Sequence, residues 1–484
     1  MSTTRSGGLP GPVHFVGIGG AGMSAIAFVL ARMGVAVSGS DLKASRYTRL
    51  VEEAGVRVEI GHRDENLGDP AVVVISSAIP DSNPEVRAAR QRSIAVLQRA
   101  EMLARLMAMR RGIAVAGTHG KTTTSSMIAH VLHECGRSPT FLVGGEVNDR
   151  GSNAGVGDGE WLVAEADESD GSLLHLRPEV AVVTNVELDH HTHYACVADL
   201  RDVFRRFVAL LPPDGLLVLG KSGGAEFLAA DSPAPVVECG LGGGDLSASL
   251  VSVSDEGSES VIRCDGRKVA RLSLRLPGEH NVVNALTAMA ALERCGVGYA
   301  EAAEPLSTFS GAGRRYQVLG EVRGVRVVDD YAHHPSELAA TLRAARAGGH
   351  RRVIAVFQPH LYSRTRYLQR EFGRALTLAD MAVVTDIFPA REEPEPGITG
   401  KLVVDAFLAE RPAGPVAYMP RLDDVVEYLR TRVAEGDIVL TMGAGDVHRV
   451  GESLLAGLAG EPSTDGGVAR AGDAGQGVAG TDGE

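Results

Sequence analysis

Two glycine-rich turns carry most of the chemistry legible in this chain. The first reads Gly17-x-Gly19-x-x-Gly22, with Gly20 and Ala21 inside it. It follows a short apolar strand and opens a helix. Glycines let a backbone approach a diphosphate, and a helix N-terminus offers free N–H donors to it. Asp41 lies about 20 residues on, the offset at which dinucleotide-binding folds place a ribose-binding acid. Ser40 beside it, and Ser76 and Ser77 after a later strand, end neighbouring strands and join this candidate site. The loop alone does not separate NAD from another diphosphate nucleotide.

The second turn is Gly117-Thr118-His119-Gly120-Lys121-Thr122-Thr123. Its backbone N–H groups can cradle phosphates, Lys121 can reach β- and γ-oxygens, and Thr122 can ligate Mg²⁺. It is shorter than the standard phosphate loop, because Val115 stands where that pattern has its first glycine. Its place between a strand and a helix is what makes Gly-Lys-Thr informative.

Acids and histidines follow at strand ends. Glu165 opens the run Glu165-Ala166-Asp167-Glu168-Ser169-Asp170. A carboxylate at the C-terminal edge of a parallel sheet suits Mg²⁺ beside a phosphate loop. The next strand runs into Glu187-Leu188-Asp189-His190-His191-Thr192-His193. Without a cysteine or an H-E-x-x-H spacing, this reads as a further Mg²⁺ contact or a polar catalytic cluster rather than zinc. Farther on come Asp329-Asp330-Tyr331-Ala332-His333-His334-Pro335-Ser336-Glu337 and Gln358-Pro359-His360-Leu361-Tyr362-Ser363-Arg364-Thr365-Arg366. Arginines at a sheet edge suit a carboxylate or phosphate.

The elements that must position these groups alternate strand and helix, which implies α/β architecture with parallel sheets. Apolar strands are expected at 13–16, 35–37, 72–75, 113–116, 162–164, 180–183, 325–328, 353–357, 381–385 and 438–441. Helices are expected at 23–33, 122–134 and 281–294. Residues 242–275 are polar, Gly- and Ser-rich and alternating, with Gly266 as a turn, and read as β-hairpins in or beside the second domain. Residues 311–313 mark a hinge. The divisions are 1–109, a Rossmann-like domain; 110–313, a phosphate-loop domain; 314–459, a second Rossmann-like domain; and 460–484, a tail expected to be disordered.

Composition narrows the class. The 484 residues, 44% hydrophobic, can fill several cores. A net charge of −13 argues against a nucleic-acid binder. The five cysteines form no C-x-x-C pair, so buried thiols are expected rather than zinc or disulfides. No apolar leader and no run of 18 apolar residues is present, so a cytoplasmic protein without a membrane segment is expected.

Taken in order, these motifs resemble the Mur ligase family. The carriers are Gly17 to Ser24, the loop from Gly117 to Thr123, Glu165 to Asp170, His280-Asn281 with Asn284, Gly313-Arg314-Arg315, Asp330 to Pro335, and Gln358-Pro359-His360. They span about 350 residues across all three domains, far more specific together than singly. The resemblance implies that the first loop binds the UDP diphosphate of UDP-N-acetylmuramate, not NAD. It implies that Lys121 holds the ATP γ-phosphate, that Thr122 and Glu165 ligate Mg²⁺, and that His190 is a second-metal residue. Asn281, Asn284, Arg315 and Asp330 would contact ATP, with the loop residues Gly117 to Thr123. Tyr331, His333, His360 and Arg364 would line the site for the incoming L-alanine and the muramoyl carboxylate. Lys121, His190 and Arg364 are the expected catalytic residues.

Two departures matter. No lysine lies between Lys121 and Lys221, so the carbamylated lysine of several sibling ligases has no counterpart. Leu361 stands where many alanine-adding members carry arginine, which shifts carboxylate recognition toward Arg364. The implied reaction is amide formation through an acyl phosphate, by a monomer or weak homodimer. The rival readings are a sister ligase that joins murein tripeptide to the same sugar nucleotide, an NAD oxidoreductase, and a non-catalytic nucleotide-binding regulator.

Overall fold

The computed structural model describes residues 11–460 apart from 192, 222 and 391. The expected disordered tail lies outside these, except for Gly460, which ends a helix. Three sheets organise the chain. The first is all parallel, with Val13–Val16 at its centre. Val37–Asp41 and Arg57–Ile60 lie on one side of it, and Val72–Ile75 and Ala95–Gln98 on the other. That is the order of the first five strands of a doubly wound fold, and the switch point beside the central strand is where ligands bind.

The second sheet has ten strands. Its parallel core includes Arg111–Ala116, Trp161–Glu165 and Val180–Val183. Every residue of Val180–Val183 is buried, as expected of a strand covered on both faces. The strands Leu246–Val253, Ser258–Cys264 and Arg267–Leu274 continue the same sheet as an antiparallel meander. Residues 242–275 are therefore an extension of the central sheet and not a separate insert. The helices Lys121–Glu134 and Glu279–Arg294 cover one face and share a hydrophobic core with it.

The third sheet is parallel except for Gln317–Val322, which pairs antiparallel with Val325–Asp330. Arg352–Phe357, Asp437–Met442 and Met381–Val384 fill its centre. Residues 311–313 enter it tethered: Gly311 O accepts from Asn148 N–H, and Gly313 N–H donates to Glu146 O at 2.8 Å. The strained backbone comes just after, where Arg314 and Tyr316 adopt φ of 59° and 48°. At the far end of the central sheet, Asp255 in a turn of the meander accepts from Arg326 at 2.8 Å and His350 at 2.6 Å.

Cys239 and Cys295 are buried, whereas Cys196 is exposed, so the expectation of uniformly buried thiols holds only in part. All five are unpaired.

Candidate active site

Two open helix ends meet at the glycine loops. Helices such as Arg46–Glu53 and Pro84–Gln91 start with side-chain caps, from Ser45 and Asn83. Ala21–Arg32 and Lys121–Glu134 have neither a side-chain cap nor an acid in their first turn. Their orphan N–H groups and positive dipole ends are available to anions. Both ends line one continuous cleft of about 1240 Å³, which also takes in Glu165, His190, Arg315, Tyr331, His333 and Glu337.

In the first loop, Gly19 N–H donates to Asp41 Oδ2 at 2.8 Å, and a Cβ on Gly19 would meet that oxygen at 2.9 Å. Asp41 thus braces the loop and also lines the cleft. Ser76 and Ser77 line it as well. Ser40 does not: it is fully buried, and its hydroxyl donates to Glu85 at 2.6 Å. Neighbouring residues on a strand point to opposite faces, so Asp41 and Ser40 cannot both face the ligand. Glu85, with His14, Asn66 and Arg63 N–H also bonded to it, is a buried brace under the sheet.

The second loop is held by the strand end that follows Val183. Asn185 O accepts from Thr118 N–H, and its side-chain oxygen accepts from His119 N–H at 2.8 Å. Gly117 has φ of 130°, and a Cβ there would lie 2.1 Å from Thr184 Oγ1. Gly117→Ala is therefore expected to lower stability by at least about 1–3 kcal/mol through backbone strain alone. Thermal melts with and without ATP should show a fall in melting temperature and a smaller ATP-induced rise. Asn284 packs its amide on Gly120, where a Cβ would meet Oδ1 at 2.6 Å, and Asn281 donates to Pro277 O. These two asparagines shape the floor under the loop.

Lys121 curls back. Its ammonium donates to both oxygens of Glu168 at 2.9 Å and to the carbonyls of Gly117 and Thr118. Burial alone would depress its pKa, but Glu168 and Asp167 more than offset that and hold the charge. Glu168 is buried and lies 3.5 Å from His190 Nε2. Glu165 accepts from Gly144 N–H and, at 3.4 Å, from Ser125. A Cβ on Gly144 would sit 2.6 Å from Glu165 Oε2, so glycine is what lets this carboxylate close over the helix start. Thr122 hydroxyl and Glu165 carboxylate are hard oxygen donors of the kind Mg²⁺ prefers.

The C-terminal unit closes the cleft. Of the twin arginines, Arg314 is structural: it binds Asp329 and the carbonyls of Gly443 and Gly445. Arg315 faces the cleft over the Tyr331 ring, 3.7 Å from Glu337. Asp330, expected at ATP, is buried, with its oxygens taken by Tyr316 and Ala332 N–H at 2.8 and 2.7 Å. It is absent from the cleft wall and fixes the turn that presents Arg315. Burial pushes its carboxyl up to about 6.

Tyr331, His333 and His360 form a ring cluster, with centroids 5.3 and 5.9 Å apart. Arg364 reaches this cluster through Nη1, 3.0 Å from His360 Nδ1. Its Nε and Nη2 both go to Asp189, each at 2.9 Å, in a pair buried on both sides. The carboxylate that Arg364 meets here is the chain's own, which differs from its expected use on substrate. Leu361 caps the helix Tyr362–Leu376 with φ of 70°, a conformation costly for a branched side chain.

A second clasp joins the units. His119 lies 3.3 Å from Glu337 and 3.7 Å from Glu187. Burial would lower its pKa, yet Glu337 and Glu187 raise it to about 9. A group with its folded pKa raised stabilises fully below its unfolded value near 6.5, and that share is lost as pH rises through about 9. His333 and His334 act oppositely: burial lowers them to about 3 and 4, so their share falls as pH drops below about 6.5. Melts from pH 6 to 10 should show wild type losing its advantage over His119→Gln as pH climbs. A constant gap would refute the charged clasp.

Sequence reasoning missed Glu168, Asn185, Glu187, Asp189 and Glu337. All but Asn185 sat inside quoted runs, and only tertiary packing singles them out.

Open helix ends, an acid-flanked phosphate loop and a cleft shared by three sheets define an enzyme that assembles a nucleotide-dependent site between domains. The Mur ligase family catalytic domain matches residues 12–111, its middle domain 115–292, and its glutamate ligase domain 314–445. The chain belongs to the Mur ligase family. It is 53% identical to UDP-N-acetylmuramate–L-alanine ligase of Rubrobacter xylanophilus, over 92% of this chain and 100% of that one. The solved UDP-N-acetylmuramate–alanine ligase of Thermotoga maritima superposes with a TM-score of 0.79 at 28% identity, covering 93% and 99%. A murein peptide ligase of Psychrobacter arcticus gives 0.69 at 26%, with 93% and 99% covered. Among the described residues no helix is long and apolar enough to cross a membrane.

Proposed function

We propose that this chain is the ATP-dependent ligase that joins L-alanine to the lactyl carboxylate of UDP-N-acetylmuramate, in peptidoglycan precursor synthesis. The observation that carries this reading is the single cleft that runs from the first glycine loop, past Lys121, to Tyr331 and His333. Such a cleft holds a sugar nucleotide, a triphosphate and a small amine donor in one row. The similarity to alanine-adding relatives supports the choice of amine over a tripeptide.

The lactyl carboxylate takes the γ-phosphoryl group of ATP, giving an acyl phosphate and ADP. The alanine amine attacks that carbon, and phosphate leaves as the amide forms. Catalysis is positioning and electrostatics, with no covalent bond to the protein. Lys121 leaves Glu168 to meet the transferring phosphoryl oxygens. Glu168 then faces His190 Nε2 at 3.5 Å. The leaving phosphate takes up the amine proton. His191 is stacked flat on Tyr367 at 4.8 Å. Thr122, Glu165 and His190 would hold Mg²⁺, which when bound screens the phosphate charge. Asp41, Ser76 and Ser77 serve the UDP moiety, and Arg315 serves ATP.

An ADP-release assay with UDP-N-acetylmuramate and a panel of L-alanine, glycine, L-serine and murein tripeptide tests the reading. L-alanine should give the highest kcat/KM. A preference for tripeptide would transfer the chain to the sister activity, and turnover with no sugar nucleotide would sink both.

A further inference from the structure

Beyond the Mg²⁺ residues, the clasp between the central and C-terminal units has the make-up of a second metal site. His119, Glu187 and His334 each offer one ligand atom, and these atoms lie within 4.8 Å of one another. They form the one such group among the described residues. Glu187 Oε2 is 3.7 Å from both His119 Nε2 and His334 Nδ1, and the imidazole centroids are 4.6 Å apart.

The surroundings favour ligation. His119 Nδ1 faces Glu337 at 3.3 Å, so that on metal binding Nδ1 would keep its proton and Nε2, facing Glu187, would give up its own. A carboxylate behind the far nitrogen of a histidine is the usual outer support of a metal-bound imidazole. Glu337 is itself fixed by His333 and His334 N–H, at 3.0 and 3.2 Å. Nε2 of His119 is buried without a hydrogen-bond partner, while Nδ1 of His334, the nitrogen facing Glu187, accepts from Ser336 N–H at 3.4 Å. Buried polar atoms are rarely left without a partner, and each one asks for a ligand. Glu187 is steadied by the Ser336 hydroxyl, which donates to it.

We propose that His119, Glu187 and His334 bind one transition-metal dication, best Zn²⁺, across the domain interface. Two imidazoles and a carboxylate suit zinc and its neighbours better than Mg²⁺, which prefers a mainly oxygen shell. His119 and Glu187 belong to the central unit and His334 to the C-terminal one. The site is therefore complete only when the two are closed. Zinc there pins the phosphate loop to the start of the helix Pro335–Ala347. It acts as a reversible inhibitor distinct from the magnesium of turnover.

Equilibrium dialysis of the full chain against zinc chloride, with millimolar Mg²⁺ present, should give one tightly held equivalent. Cobalt(II) in its place should produce the visible absorption of a low-coordinate nitrogen and oxygen site. His334→Asn keeps a capping side chain at the head of that helix, and Glu187→Gln keeps the shape of the carboxylate. Each should abolish the tight equivalent and the cobalt spectrum. Glu337→Gln should weaken zinc by ~10–100-fold. Zinc inhibition of wild type should reverse with a chelator and be lost in whichever ligand variant retains turnover. Absence of a tight equivalent, or binding unchanged in both ligand variants, would overturn the proposal.

Discussion

Lys121→Met is expected to lower ligation turnover by ~10²–10³, about 3–4 kcal/mol of transition-state stabilisation, the usual cost of losing one preorganised charge at a transferring group. The reason lies in the geometry of the idle loop. The ammonium is already desolvated and held by Glu168 within the loop that receives the phosphates. Transfer to the γ-phosphoryl group is thus a short move between anionic partners, not a recruitment from solvent. Methionine keeps the length and apolar stem of the side chain and removes only the charge. The loss should fall on kcat, read by ADP release. The affinity for the sugar nucleotide, bound at the first loop, should stay within about twofold, well under the ~1.4 kcal/mol of a tenfold change. Near-normal turnover would remove Lys121 from the phosphoryl-transfer step. Glu168→Gln is the informative companion: it keeps the lysine's charge and removes only its resting partner, so it should cost turnover far less than Lys121→Met.

The second large effect belongs to Asp189. Arg364 and Asp189 form a two-pronged pair between the units, nearly sealed from solvent. Burial alone would raise the Asp189 pKa, but the Arg364 guanidinium and His190 more than offset that and hold it well below the carboxylate range. Asp189→Ala leaves a buried guanidinium without its carboxylate, a change that typically costs about 3–5 kcal/mol. The closed arrangement should bear this cost, because opening returns Arg364 to water. Solution scattering should show a larger radius of gyration for the variant, and KM for L-alanine should rise more than KM for ATP. An unchanged scattering profile with unchanged KM would mean that the pair does not govern closure.

The parts of the fold that could be read in the sequence are those whose physics is local. Val72–Ile75 and Val180–Val183 are continuous apolar runs because both of their faces are covered. Arg57–Ile60 and Ala95–Gln98 escaped notice because they are the outermost strands of the first sheet, with mixed exposure and no clear period. The meander after residue 242 was visible as alternation, but not its fusion to the parallel sheet, which depends on register with Val236–Leu241.

The site divides in the same way. Gly117 to Thr123 announces itself because the spacing and the flanking elements are contiguous. Arg364 was readable as a charge but not as Asp189's partner, 175 residues away. Asp330 and Ser40 carried the right chemistry at strand ends, yet one supports a turn and the other faces the wrong side of its strand. Which acid of the 165–170 run turns inward is decided by tertiary packing, with Tyr194 donating to the Glu168 carbonyl.

The C-terminal unit rests on the central one at well-separated supports. One is at the end of the parallel strands, where the Asp189–Arg364 pair and the His119–Glu337 clasp lie, and the other is Asp255, in the meander, with His350 and Arg326. A plate carried on two distant bearings resists yaw but still rocks about the line that joins them. The long sheet thereby selects one arc of travel for the C-terminal unit. Shortening the meander should leave the phosphate loop intact while letting that unit swivel out of line with it.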